Sequence, residues 1–248
     1  AQTRPVPVSW ADNFSLELNG INQSVYFDDS LNSNFSLTSS FSVGAWSKIP
    51  PVANAFMGMF VNYDGNKGFS IFARNGAQST DRNIMVYCSS NGSSNQIQVT
   101  VGKNNQPAWD RDVWFWWLVS YDGSGTAAGI NIYVDNAVPT YRSDVQDNAG
   151  PDVVSTSRLI VGQRENSDAF FYLGKLDELF AASKVLTTQE RTDLYNGGTP
   201  VNVQDVISSS DLLLYNQLGD QSMGSTLTSL VGPDGTMLNS PIISSDVP

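Results

Sequence analysis

Apolar and polar residues alternate with a period of two through most of the chain. Phe14, Leu16 and Leu18 alternate with polar neighbours and then meet Asn19-Gly20, which predicts a strand closed by a turn. Val25 and Phe27 follow, then Phe35 and Leu37, then a segment 41–49 in which Phe41, Val43 and Ala45 share one face and Gly44 and Trp46 the other. Further strands are predicted over 55–63, 68–75, 83–90, 96–102, 113–121, 129–135 and 158–163, separated by Gly, Asn, Asp and Ser. Short alternating strands spaced this way, with almost no helical period, predict an antiparallel sandwich or barrel.

One stretch departs from this rhythm. From Tyr172 the chain reads as a strand, with Leu173, Leu176, Leu179 and Phe180 as its bulk, and then as a short helix over 187–196. Thr187 with Glu190 three residues on is a capping box, and Asn196-Gly197-Gly198 ends the helix. So short a helix must dock on a larger body, through Leu186, Leu194 and Tyr195. Segment 199–210 reads as a polar link. Residues 212–220 read as a strand again, and a separate unit of about forty residues would be too small to stand unaided. The predicted organisation is an arm over 1–12 and one domain over 13–248, with 211–240 returning to the same sandwich.

Strand 113–121 places Phe115, Trp117, Val119 and Tyr121 on one face and Trp114, Trp116, Leu118 and Ser120 on the other. With both faces apolar, it is either covered on both sides or offers one aromatic face to a ligand, since aromatic rings stack on sugars.

Composition narrows the chemistry. Hydrophobic residues make up 40% of the 248, which excludes a disordered chain. The net charge of −11 and the scatter of thirteen Lys and Arg argue against a nucleic-acid partner. There is no histidine, and Cys88 is the single cysteine. Serine triads, Cys-His pairs and zinc sites rich in those residues are thereby excluded, and so is a disulfide-stapled domain. Cys88 reads as a small core residue. No apolar run reaches the ~18 residues of a membrane helix. The N-terminus lacks a signal core, so the chain is expected to be either processed or without a leader.

Several blocks resemble the laminin G-like, concanavalin A-like jelly-roll family. They are YDGSGTAAGINIYVDN (121–136), RLIVGQ (158–163) and YLGKLDELFAASKVLTTQERTDLYNGG (172–198). FSLELNGINQSVYF (14–27) and FSVGAW (41–46) are similar to its opening strands, and DLLLYNQLGD (211–220) with GPDGTMLNS (232–240) to its closing ones. Trp116 stands where members often carry His, and Asn136 where Gly is usual; Asn also tolerates positive φ. The resemblance implies an all-β, two-sheet antiparallel jelly-roll sandwich. Block 121–198 most resembles versions in phage and marine viral structural proteins, which implies display on a virion surface or outside the cell.

The family's commonest implied role is carbohydrate binding, through loop-tip polar and aromatic residues such as Tyr63, Asn75, Tyr87 and Arg164. Among metals, hard oxygen donors favour calcium, which some relatives bind at a rim of Asp and Asn. Candidates are Asp28, Asp29, Asp64, Asp122 and Asp168, although Asp64-Gly65 and Asp122-Gly123 are also turn signals. Glycoside hydrolases on this sandwich use paired carboxylates. Here only Asp177-Glu178 approaches that pattern, with no second glutamate three or four residues on, and the family resemblance implies a structural dipeptide bound to backbone amides. The expected function is a non-enzymatic surface module, a phage decoration or fibre protein recognising glycans or a host surface. The alternatives are a purely architectural virion protein, docked to its neighbours through the arm from Pro5 to Trp10, and a polysaccharide hydrolase, which the missing pair disfavours.

Overall fold

A computed structural model describes residues 10–51, 56–75, 82–91, 95–103, 106–146, 153–164 and 170–248. In chain order the strands are β1 (Ser15–Asn19), β2 (Ser24–Phe27), β3 (Phe41–Lys48), β4 (Met57–Tyr63), β5 (Gly68–Asn75), β6 (Arg82–Ser89), β7 (Gln96–Val101), β8 (Trp114–Tyr121) and β9 (Ile130–Val134). There follow β10 (Arg142–Gln146), β11 (Leu159–Val161), β12 (Leu173–Ala182), β13 (Leu212–Asn216), β14 (Ser222–Met223), β15 (Thr226–Leu227), β16 (Gly235–Leu238) and β17 (Ile242–Ser244). A helix, α1 (Thr188–Tyr195), lies between β12 and β13.

Two antiparallel sheets result. The smaller runs β17-β1-β12-β3-β8-β9, with β13 also paired to β12. The larger runs β10-β7-β6-β5-β4-β11-β2-β16-β15-β14. The predicted two-sheet sandwich is the fold observed. The last forty residues join both sheets, β16 beside β2 and β17 beside β1.

The inward faces follow from the period-two pattern. Leu16 and Leu18, Phe41, Val43 and Ala45, Phe115, Trp117, Val119 and Tyr121 meet Phe69, Ile71, Ala73, Ile84, Val86, Ile97 and Val99 in one apolar core. Buried Cys88 is part of it. Phe35 and Leu37 are buried there too, but through a 3-10 turn over Asn32–Phe35 rather than a strand. Phe14, expected inside with Leu16 and Leu18, is 42% exposed.

The other face of β8 is covered as well. Trp116 and Leu118, with Trp46 and Phe180, are buried beneath Leu186, Leu194, Val203, Ile207 and Leu212. Segment 199–210 is therefore part of a roof and not a polar link: it carries a 3-10 turn over Val203–Asp205, and Val203 and Ile207 point inward. α1 is held at its start by the capping box, Thr187 Oγ1 accepting from the Glu190 amide at 3.2 Å and Glu190 Oε2 from the Thr187 amide at 2.9 Å. It ends at Asn196 in the left-handed conformation, φ 43°.

Candidate functional site

β12 interrupts the regular pairing. Between Asp177, opposite Trp46, and Phe180, opposite Gly44, an extra residue bulges out, and Glu178 takes φ 50°. The bulge turns Asp177 and Glu178 together toward the roofed side, where Tyr215 Oη donates to Glu178 Oε2 and Gln217 Nε2 donates to Glu178 Oε1 at 3.1 Å. Asp177 Oδ1 accepts from the Glu178 amide at 2.9 Å. The dipeptide thus binds one backbone amide, its own, and otherwise side chains, which departs from the expected row of amides. Asp12 completes a group of three carboxylates, one oxygen of each lying within 4.8 Å of the others. Burial above all pushes all three pKa values up, Asp12 to about 6 and Glu178 to about 8.

Among the described residues, the outer face of the larger sheet carries a small buried cluster of Val61, Tyr63 and Phe72 beside an open pocket. Alternation on β5 sends Phe69, Ile71 and Ala73 into the core and leaves Phe72 and Arg74 outside; on β6 it leaves Met85 and Tyr87, and on β7 Gln98. A bulge at Met59 shifts the phase of β4, so that Val61 and Tyr63 also face out. Phe56 and Phe170 close one end, their rings edge-to-face at 5.4 Å. Phe170 holds the left-handed conformation, φ 62°, and its carbonyl accepts from the Gly58 amide at 2.9 Å. Gly58 is required at that point, because a Cβ there would lie 2.6 Å from the Gln163 carbonyl oxygen.

The result is an open pocket of about 440 Å³ lined by Phe56, Phe72, Arg74, Met85, Tyr87, Gln98, Arg164 and Phe170. The Arg164 guanidinium lies 5.0 Å from the Tyr63 ring and 5.4 Å from the Phe170 ring, and that of Arg74 lies 5.0 Å from Phe56. Such a surface offers ring faces for stacking and planar donors for hydroxyl or carboxylate oxygens.

Three of the four residues expected to bind sugar meet here. Tyr87 and Arg164 line the pocket, and Tyr63 is buried behind them, its ring 5.7 Å from that of Tyr87. Burial first, then the neighbouring Tyr87, pushes the Tyr63 hydroxyl above its ordinary pKa. Asn75 ends β5 opposite Arg82, one position beyond Arg74. Phe72 and Arg74 were missed from the sequence, although the alternation of β5 pointed them outward.

Among the described residues, the expected calcium ligands Asp28, Asp29, Asp64 and Asp122 do not converge. Asp28 Oδ1 accepts from the Ser30 amide, Asp122 Oδ1 from the Ser124 amide, and exposed Asp29 accepts through its carbonyl from Asn32. Asp64 accepts from the amides of Asn66 and Lys67 at 2.9 and 2.8 Å. Burial raises the Asp64 carboxyl, but these amides and Thr156 outweigh it and hold the pKa low. Asp168 lies outside the described residues, as do Pro5 and most of the arm.

Compared with known proteins, residues 19–190 match the profile of the concanavalin A-like lectin/glucanases superfamily. No curated protein matches the chain. A Bacteroides ovatus protein, provisionally described as carbohydrate-binding, superposes at a TM-score of 0.63 with 16% identity over 95% of this chain; the chain spans 60% of that protein. A heptameric SAP-like pentraxin from Limulus polyphemus superposes at 0.54 with 14% identity, covering 94% of both chains. The CBM40 of a Ruminococcus gnavus IT-sialidase, bound to α2,3-sialyllactose, superposes at 0.54 with 10% identity, over 73% of this chain and 96% of its own. At these identities the likeness is one of fold.

Proposed function

Because the chain belongs to the concanavalin A-like lectin/glucanase superfamily, we propose that it is a non-enzymatic glycan-binding module whose saccharide site is the pocket on the outer face of the larger sheet. The observation that carries this reading is the open pocket in which Tyr87, Phe56 and Phe170 meet two guanidinium groups above a floor that includes buried Phe72. A pyranose ring would stack on an aromatic face while Arg74, Arg164 and Gln98 donate to its oxygens. Solved structures of this fold that carry carbohydrate-binding descriptions support the same class. Display on a virion or other extracellular surface belongs to the same proposal and rests on the resemblance of residues 121–198 alone.

A binding rather than hydrolytic role is supported by the carboxylates. Asp177 and Glu178 are 0% and 3% exposed, so a glycosidic bond has no path to them.

The test is binding to an array of neutral and acidic glycans, followed by titration calorimetry with the best ligand. Arg164→Ala and Tyr87→Ala are each expected to weaken binding by about 10- to 100-fold, the size of one charge-assisted hydrogen bond or one stacked ring. Their melting temperatures should stay near that of the wild type. Silence across the array with well-folded protein would favour the purely architectural alternative.

A further inference from the structure

The three carboxylates at the β12 bulge are left over by the glycan-binding reading. Asp177 is fully buried, and neither its Oδ2 nor the buried Oδ1 of Asp12 has a donor; the two side chains lie within hydrogen-bonding reach of each other, so that only a shared proton or a cation can satisfy both. Among the described residues no Lys or Arg pairs with Asp12, Asp177 or Glu178, whereas Lys48, Lys175, Lys184, Arg82 and Arg142 all pair with other carboxylates. Buried carboxylate oxygens without a donor or a counter-charge are costly, and a cation is the species that satisfies several of them together.

We propose that Asp12, Asp177 and Glu178 form a calcium site that fastens the N-terminal segment to the bulge of β12. Oxygens within 4.8 Å of one another suit ligands that each stand about 2.3–2.6 Å from a shared calcium. The donors are all hard oxygens, which disfavours transition metals, and magnesium keeps most of its water rather than entering a protein cage. Asp12 is half-buried at the edge of the group. Its neighbours Trp10 and Asn13 border a cleft of about 430 Å³ together with Asp220 and Gln217, the residue that donates to Glu178. The neighbouring contacts hold Asp12 in place: Trp10 Nε1 donates to Tyr215 Oη at 3.0 Å, and the Asn13 amide donates to Asp220 at 3.1 Å. Upward-shifted carboxyl pKa values are what this group shows without its cation, and bound calcium would keep all three ionised.

The site is distinct from the turns at Asp28, Asp64 and Asp122, and it is independent of the glycan pocket. Its test uses the whole chain, stripped with chelator at pH 7.5 and titrated with calcium chloride. Melting temperature is expected to rise by about 5–10 °C at a concentration some hundred times Kd. Terbium should show luminescence sensitised through Trp10 and Tyr215 and be displaced by calcium. Asp12→Asn should abolish both responses and, lying at the half-exposed edge, leaves the core intact if Asp177→Asn fails to fold. Two results overturn the proposal. One is a wild-type melting temperature indifferent to calcium and chelator, with Asp12→Asn as stable as the wild type, because the facing carboxyl groups then share a proton instead. The other is a calcium response that survives unchanged in Asp12→Asn, because the cation then binds elsewhere.

Discussion

The outer faces of the two sheets are both aromatic, and they have opposite fates. On the smaller sheet Trp46, Trp116 and Phe180 are sealed under α1 and residues 199–212, with the Tyr195 ring 6.1 Å from both Trp46 and Trp116. On the larger sheet Phe72 and Tyr87 keep company with Arg74 and Arg164 around an open pocket. Aromatic density alone therefore does not mark the proposed ligand face; among the described residues, what differs is that a later segment roofs one face while the other keeps an open pocket. The strongest aromatic signal in the sequence, the tryptophans of strand 113–121, is divided between the core (Trp117) and the roofed face (Trp114 and Trp116).

The largest expected effect that tests this contrast is Trp116→Ala. With a side chain 1% exposed, its loss should cost about 3–5 kcal/mol of stability by denaturant melting, while the folded fraction binds glycan as before. Arg164→Ala should do the reverse. Equal loss of binding in both variants would mean that the roofed face takes part in recognition. Next comes Thr187→Ala, which removes one half of the capping box and should cost about 1 kcal/mol, loosening the roof alone.

The smallest effect is electrostatic and sits at the edge of the covered face. Burial works against the Asp246 carboxylate, but Lys175 at 2.6 Å, Lys48 at 3.0 Å and the Trp114 indole N–H at 3.0 Å outweigh it and hold its pKa below the usual range. A depressed folded-state pKa gives stability that is complete above the unfolded value of about 3.9 and is lost as pH falls through the folded one. Asp246→Asn should therefore melt slightly below the wild type, by a gap that is constant from pH 7 to about pH 4 and closes in stronger acid. A gap that already closes near pH 6 would show that the lysines do not hold the group.

The sandwich was legible because period-two patterning and Asn-Gly or Asp-Gly turns are local signals. β10 was not, since RSDVQ is an exposed edge strand with no apolar face to announce it. Tyr63, Tyr87 and Arg164 could be named as sugar-binding candidates, but Phe170 reaches the pocket through a left-handed backbone that no residue preference predicts. Asp12 was invisible as a partner of Asp177 because 165 positions separate them, and only the bulge and the folded tail bring them together.

The pairings of β1 and β2 carry a consequence for biosynthesis. β1 lies between β12 and β17, and β2 between β11 and β16. Neither early strand can complete both edges until roughly 220 further residues have left the ribosome, a delay of ~10–45 s at ordinary translation rates. Through that interval the opening segments present bare hydrogen-bonding edges to the cytosol or translocation machinery. A holdase that shields them would raise the yield of soluble product more than any help given to the finished protein.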